Sequence, residues 1–223
     1  MSTVATPKAR GPYRNGVKRR REIIEAAADV FGKYGYAGGS LRQIAEVVGV
    51  TPAALTRHFN GKEGLLIAVL EYWDAGADRV MVPHHGLDRF KYMPISVWEH
   101  TLDRGLIEMF LTVAAEASNP SHPINGFVRL RYERVMNNAI WELKYAREAG
   151  QVLWMSDEQI ESEVRGTYAL MDGIQLQWLL NPSLDVVAMF KYYLGMTISR
   201  WIGREFDWSE APDVPPRTAT SLR

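Results

Sequence analysis

The sequence predicts an all-α fold, three short helices followed by a larger helical body. Two observations carry this. Apolar residues recur three and four apart along most of the chain, and no segment shows the period-two alternation of a half-buried strand. Gly, Pro, Asn-Gly and Asn-Pro then cut the 223 residues into stretches of about one helix each.

Residues 1–16 hold Pro7, Gly11, Pro12 and Gly16 among basic and small residues, and read as a flexible basic arm. The spacing predicts a first helix over Val17–Tyr34, with Ile24, Ala28 and Phe31 on one face and Gly35 as its stop. A second helix spans Leu41–Val48. Ser40 is its natural N-cap, and Gln43 completes a capping-box pattern. Gly49 ends it. Thr51 caps a third helix with Pro52 in its first turn, where a missing N–H costs nothing, and Leu55 and Phe59 point inward. Asn60-Gly61 breaks the chain, so residues 17–61 form a first domain and 62–206 a second. In the second, helices are expected at 62–80, 95–117, 124–149, 157–180 and 184–206. Met81–Pro94 reads as a loop or broken helix, and the proline-rich tail 207–223 as disordered.

Hydrophobic residues make up 47% and charged residues 23%, enough to build a core. There is no cysteine, which excludes disulfides, thiolate zinc sites and cysteine nucleophiles and fits a cytoplasmic location. The longest apolar run, Leu65–Leu70, is far short of the ~20 residues of a membrane span, so a soluble protein without a membrane partner is expected. No catalytic residues, cofactor or metal are predicted. P-loop, Rossmann and G-x-S-x-G patterns are absent, and His84-His85 with His100 or His122 fits no ligand spacing. The balance of 26 basic and 26 acidic residues conceals an asymmetry. Residues 1–62 carry 11 Lys/Arg against 4 Asp/Glu, and the remainder 15 against 22. A basic end on an acidic body suits contact with phosphates.

A helix ending at Gly49, a tight turn and a capped short helix make a helix-turn-helix, whose second helix can enter a DNA major groove. With Leu55 and Phe59 buried, Thr51, Pro52, Ala53, Thr56 and Arg57 lie on or near the exposed face. Small residues there permit close approach to base edges, and their methyls can meet thymine methyls. These residues, with Gly35-Tyr36, Ser40-Leu41-Arg42-Gln43-Ile44-Ala45, Gly49-Val50-Thr51, Leu55-Thr56-Arg57-His58-Phe59 and Lys62-Glu63-Gly64-Leu65-Leu66, resemble the TetR family of bacterial regulators over about residues 17–70. Met171-Asp172-Gly173 through Asn181-Pro182 is similar to the penultimate helix of many members. The resemblance implies that Ser40 and Arg42 meet phosphates or a base, that Thr51, Pro52 and Ala53 face the groove, and that His58 and Lys62 hold the backbone. Thr56 departs from the tyrosine that the family often has there, which implies that a contact with the DNA backbone shortens or disappears.

Ile160, Val164, Thr167, Met171, Ile174 and Trp178 follow a 4-3-4-3-4 spacing. Val187, Phe190, Leu194, Ile198 and Trp201 form one stripe of the last helix, and Met189, Tyr193 and Met196 another. One stripe can pack on the chain's own core and the other on a twin, forming an intersubunit four-helix bundle; the first two sets are the candidates for the homodimer interface, with the choice of stripe left open. The resemblance further implies a small-molecule effector, here largely apolar, in the second domain. Its candidate contacts are Trp98, Leu102, Met109, Phe110, Asn138, Trp141, Tyr168, Met171 and Gln175. The expectation is therefore a ligand-responsive repressor that binds a double-stranded DNA operator. Non-specific architectural DNA binding and an all-α enzyme are the alternatives, and a co-repressor is the alternative for the effector's sign.

Overall fold

In a computed structural model the described residues, 12–81 and 83–215, form nine α helices and no strand. The helices are α1 (Pro12–Gly38), α2 (Leu41–Val48), α3 (Pro52–Phe59), α4 (Gly61–Met81), α5 (Leu87–His100), α6 (Arg104–Ala117), α7 (Asn125–Glu148), α8 (Asp157–Leu180) and α9 (Val186–Ile202). Residues 1–11 of the predicted arm lie outside the described residues. Residues 12–16 are not an arm but the first turn of α1, where Pro12 is tolerated. The helix kinks at Gly35 (φ 66°, ψ 176°) and resumes to Gly38.

The short helices are set by local chemistry. Ser40 accepts a hydrogen bond from the Gln43 N–H at 3.3 Å, and Thr51 one from the Ala54 N–H at 3.2 Å. Gly49 (φ 66°, ψ 44°) and Asn60 (φ 59°, ψ 41°) end α2 and α3 in left-handed conformation. Gly64 lets α4 start directly against α3, because a Cβ there would lie 1.8 Å from the Phe59 carbonyl oxygen. Ile44, Ala45, Leu55 and Phe59 are buried against α1 and α4.

Distant residues set other boundaries. Of the loop or broken helix expected over 81–94, the structure has the broken helix: α4 ends at Met81 and α5 begins at Leu87. Its first N–H groups are satisfied from elsewhere: Gly86 N–H donates to Glu142 Oε2 at 2.7 Å, and Leu87 N–H to Gln151 Oε1 at 2.9 Å. Pro94 lies inside α5, and burial of Phe90, Met93 and Val97 holds the helix through it. The single helix expected over 95–117 is two helices. Asp103 accepts from the Leu106 N–H at 3.2 Å and starts α6 afresh. At the far end α9 stops at Ile202 on a left-handed Gly203, not at 206. The tail is ordered by packing as far as it is described. Phe206 is buried, Trp208 packs edge-on against it at 5.1 Å, and Arg204 pairs with Glu210. Residues 216–223 lie outside the described residues.

The helix-turn-helix module rests on the body through α1 and α6. The two backbones come close at Gly32, where a Cβ would lie 2.9 Å from the Gly105 carbonyl oxygen. The Tyr36 N–H donates to Glu116 Oε2 of α6 at 2.8 Å.

The residues expected at a dimer interface are corrected here. Ile160, Val164, Thr167, Ile174 and Trp178 of α8 are buried in the chain's own core, as are Phe190, Leu194, Ile198 and Trp201 of α9, while Met171 and Val187 are half-buried. One chain supplies their partners. Phe90 packs edge-on against Trp201 at 4.9 Å, and the Trp201 indole N–H donates to Glu163 at 3.1 Å. The outer faces are different. On α8, Gly166 and Ala169 lead to Leu176 (50% exposed) and Leu180 (80%). On α9, Tyr193 and Met196 are exposed.

Candidate nucleic-acid interface and interior cavity

The outer surface of α2 and α3 gathers most of the predicted DNA-contacting residues. Arg42, Thr51, Pro52, Ala53, Thr56, Arg57 and His58 are exposed, and Ser40 is half-buried at its cap. The Thr56 hydroxyl donates to the Pro52 carbonyl at 3.1 Å, so its methyl faces outward. Arg57 and His58 place basic character in the last turn of α3, where they also suit the helix dipole. Lys62 is placed differently. Its ammonium lies 4.4 Å from the centre of the Tyr36 ring and 3.5 Å from the Ala37 carbonyl, half-buried, and burial lowers its pKa against the opposing effect of Glu116. Reaching a phosphate would require it to leave that ring.

Helices α4 to α8 enclose a cavity of about 270 Å³. Five of the nine predicted ligand contacts line it: Phe110, Asn138, Tyr168, Met171 and Gln175. The other four do not. Trp98 and Leu102 are half-buried outside it, Met109 is buried beside Gly32, and Trp141 is 56% exposed and stacked on Tyr145. Asn138 is itself exposed at the rim, so the argument from a buried amide applies to Gln175 alone.

The lining that the sequence reading missed is mostly charged and aromatic. Trp73, Phe110 and Tyr132 form a stacked wall, with ring centres 5.8 and 6.0 Å apart in turn. Asp74 of α4 accepts from Arg131 Nε at 2.8 Å and also pairs with Arg134. Asp172 accepts from the Tyr132 hydroxyl at 2.9 Å. Burial pushes both that carboxyl and that phenol up. His100 lies 4.3 Å from the Trp73 ring, and burial together with the Arg131 charge pulls its pKa down to about 3. The neutral ring accepts from Gln175 Nε2 at 3.2 Å through Nδ1, so its proton sits on Nε2, which has no partner. One signal could have found these residues. Arg89, Met93, Ser96 and His100 share a face of α5 at 4-3-4 spacing, but the stretch containing the first two predicts a loop or broken helix.

The family model for bacterial regulatory proteins of the tetR family matches residues 23–69. The HTH-type transcriptional regulator BetI of Brucella suis is 24% identical over 199 residues, covering 81% of this chain and 92% of that protein. The structure of SmeT, the repressor of the Stenotrophomonas maltophilia multidrug efflux pump SmeDEF, superposes with a TM-score of 0.65 at 20% identity, over 88% of this chain and 97% of that one. A Saccharomonospora viridis protein in complex with choline gives 0.62 at 20% identity, over 82% and 96%. The structural likenesses show the shared fold. The matched span contains the whole α2–α3 unit together with the parts of α1 and α4 packed on it, and over that span this chain is similar to the tetR family of bacterial regulatory proteins.

Proposed function

We propose that the chain is a homodimeric, sequence-specific repressor that binds operator DNA through α3 and is released by a small molecule bound in the cavity. The observation that carries this is the capped α2–α3 unit, whose exposed face presents Thr51, Pro52, Ala53 and Arg57 together with Arg42. Small side chains at the start of α3 admit a base edge, and the arginines suit flanking phosphates. Two such helices read a two-fold site when the chain pairs with a copy of itself. The module comprises residues 17–61 and the effector domain 62–206. The repressor sign draws on SmeT, which is named a repressor, and the small-molecule effector on the choline complex.

Selection from random duplexes tests the reading. Enrichment of a palindrome with half-sites about 34–36 Å apart, or a longer multiple, is expected. Recovery of no preferred sequence would make the chain an architectural binder instead. The effector's sign is read by titrating ligand into the operator complex: release marks an inducer, tightening a co-repressor.

A further inference from the structure

Given that the cavity is the effector site, we propose that its ligand is a monocarboxylate with an apolar body, and that Arg89 holds the carboxylate. Arg89 and His100 both line the cavity from α5, eleven residues apart, or about 16 Å along the helix at ~1.5 Å per residue. Three guanidiniums and two carboxylates line it. The carboxylates are already covered, Asp74 by Arg131 and Arg134 and Asp172 by the Tyr132 hydroxyl. Among the described residues, Arg89 is the charge left over. Its Nη1 donates to the Met81 carbonyl at 3.0 Å, its buried Nε has no partner, and it makes no ion pair among the described residues.

Arg89 Nε–H is a buried donor with no partner among the described residues, and a ligand that satisfies it must bring an acceptor. A buried donor without an acceptor is destabilising, and a guanidinium is satisfied best by a planar carboxylate. A cationic ligand would add to the positive excess of the lining and leave that donor unsatisfied. Elsewhere in the lining, Met81, Met93 and Met171 offer deformable apolar surface that fits an alkyl or aryl body.

The test is calorimetric titration of the full-length chain, backed by its Trp fluorescence, with four probes. Octanoate and 4-phenylbutyrate share the carboxylate and differ in body. 1-Octanol and octyltrimethylammonium keep the octyl chain and replace the carboxylate. At least one carboxylate should bind one per chain, with the alcohol and the cation at least ~10-fold weaker. Arg89→Gln should weaken the carboxylate by about 10–100-fold, the range for a charge-assisted hydrogen bond, and leave 1-octanol unchanged. If that variant does not fold, Arg89→Lys replaces it; loss of the fork should still weaken the carboxylate at least roughly threefold. Equal or tighter binding of the cation or the alcohol, an unchanged affinity in the Arg89 variant, or no binding of either carboxylate would overturn the proposal. Operator binding without ligand is scored separately. A chain that binds DNA but neither carboxylate loses this inference alone, and one that binds octanoate but no DNA loses the regulator reading.

Discussion

At His100 the surroundings decide which form of the ring is tolerated. Its folded pKa of about 3 lies below the ordinary value near 6.5, so the unfolded chain binds the extra proton first as pH falls. The associated stability is fully present above about pH 6.5 and is lost as pH drops toward 3, at no more than ~1.4 kcal/mol per pH unit. His100→Gln should flatten that loss between pH 7 and 5, as urea unfolding at each pH would show. Equal pH slopes in the two proteins would remove His100 as the cause. On the DNA face, Arg42→Ala and Arg57→Ala should each lower the salt slope of operator binding by about 0.9, the value for one phosphate contact. Lys62→Ala should change that slope less, because its ammonium starts on the Tyr36 ring.

Individual helices differ in how much of their definition is local. The caps of α2 and α3 were readable because Ser40, Gly49, Thr51 and Asn60 act within a few residues of themselves. Thr51→Ala should therefore cost about 1 kcal/mol of stability, measurable by thermal or urea unfolding. The start of α5 was not readable, because Glu142 and Gln151 cap it from 56 and 64 residues away, and Pro94 signals a break that packing overrides. With that helix missed, Arg89 and Met93 had no face to belong to. The cavity's charged lining stayed hidden for a related reason. Asp74, Arg131 and Arg134 carry no local signal of a shared site, because the ion pairs that join them link α4 to α7 across 57 and 60 residues. On α8 and α9 the apolar stripes were found correctly, but periodicity cannot say whether a stripe faces its own core or a twin.

For the molecule as a whole, the dimer proposed above would form through the outer faces of α8 and α9. Small residues at Gly166 and Ala169 let another helix approach closely, and Leu176, Leu180, Tyr193 and Met196 supply apolar area for a four-helix contact. Leu176→Glu or Met196→Glu should give a folded monomer by light scattering with unchanged helical content. Phe190→Glu, at a fully buried site, should instead unfold the chain. A stable monomer for the unmutated chain at micromolar concentration would sink the dimer. The contact at Gly32 has a consequence for how such a dimer would signal. At Gly32 the α1 backbone lies against the Gly105 carbonyl of α6 with no room for a methyl group between them, and the Asp29 side chain of α1 closes over Gly105. Phe110 lies on the same helix at the cavity wall, so a ligand bound there, as proposed above, would reach the module that carries Thr51–Arg57 through this close contact.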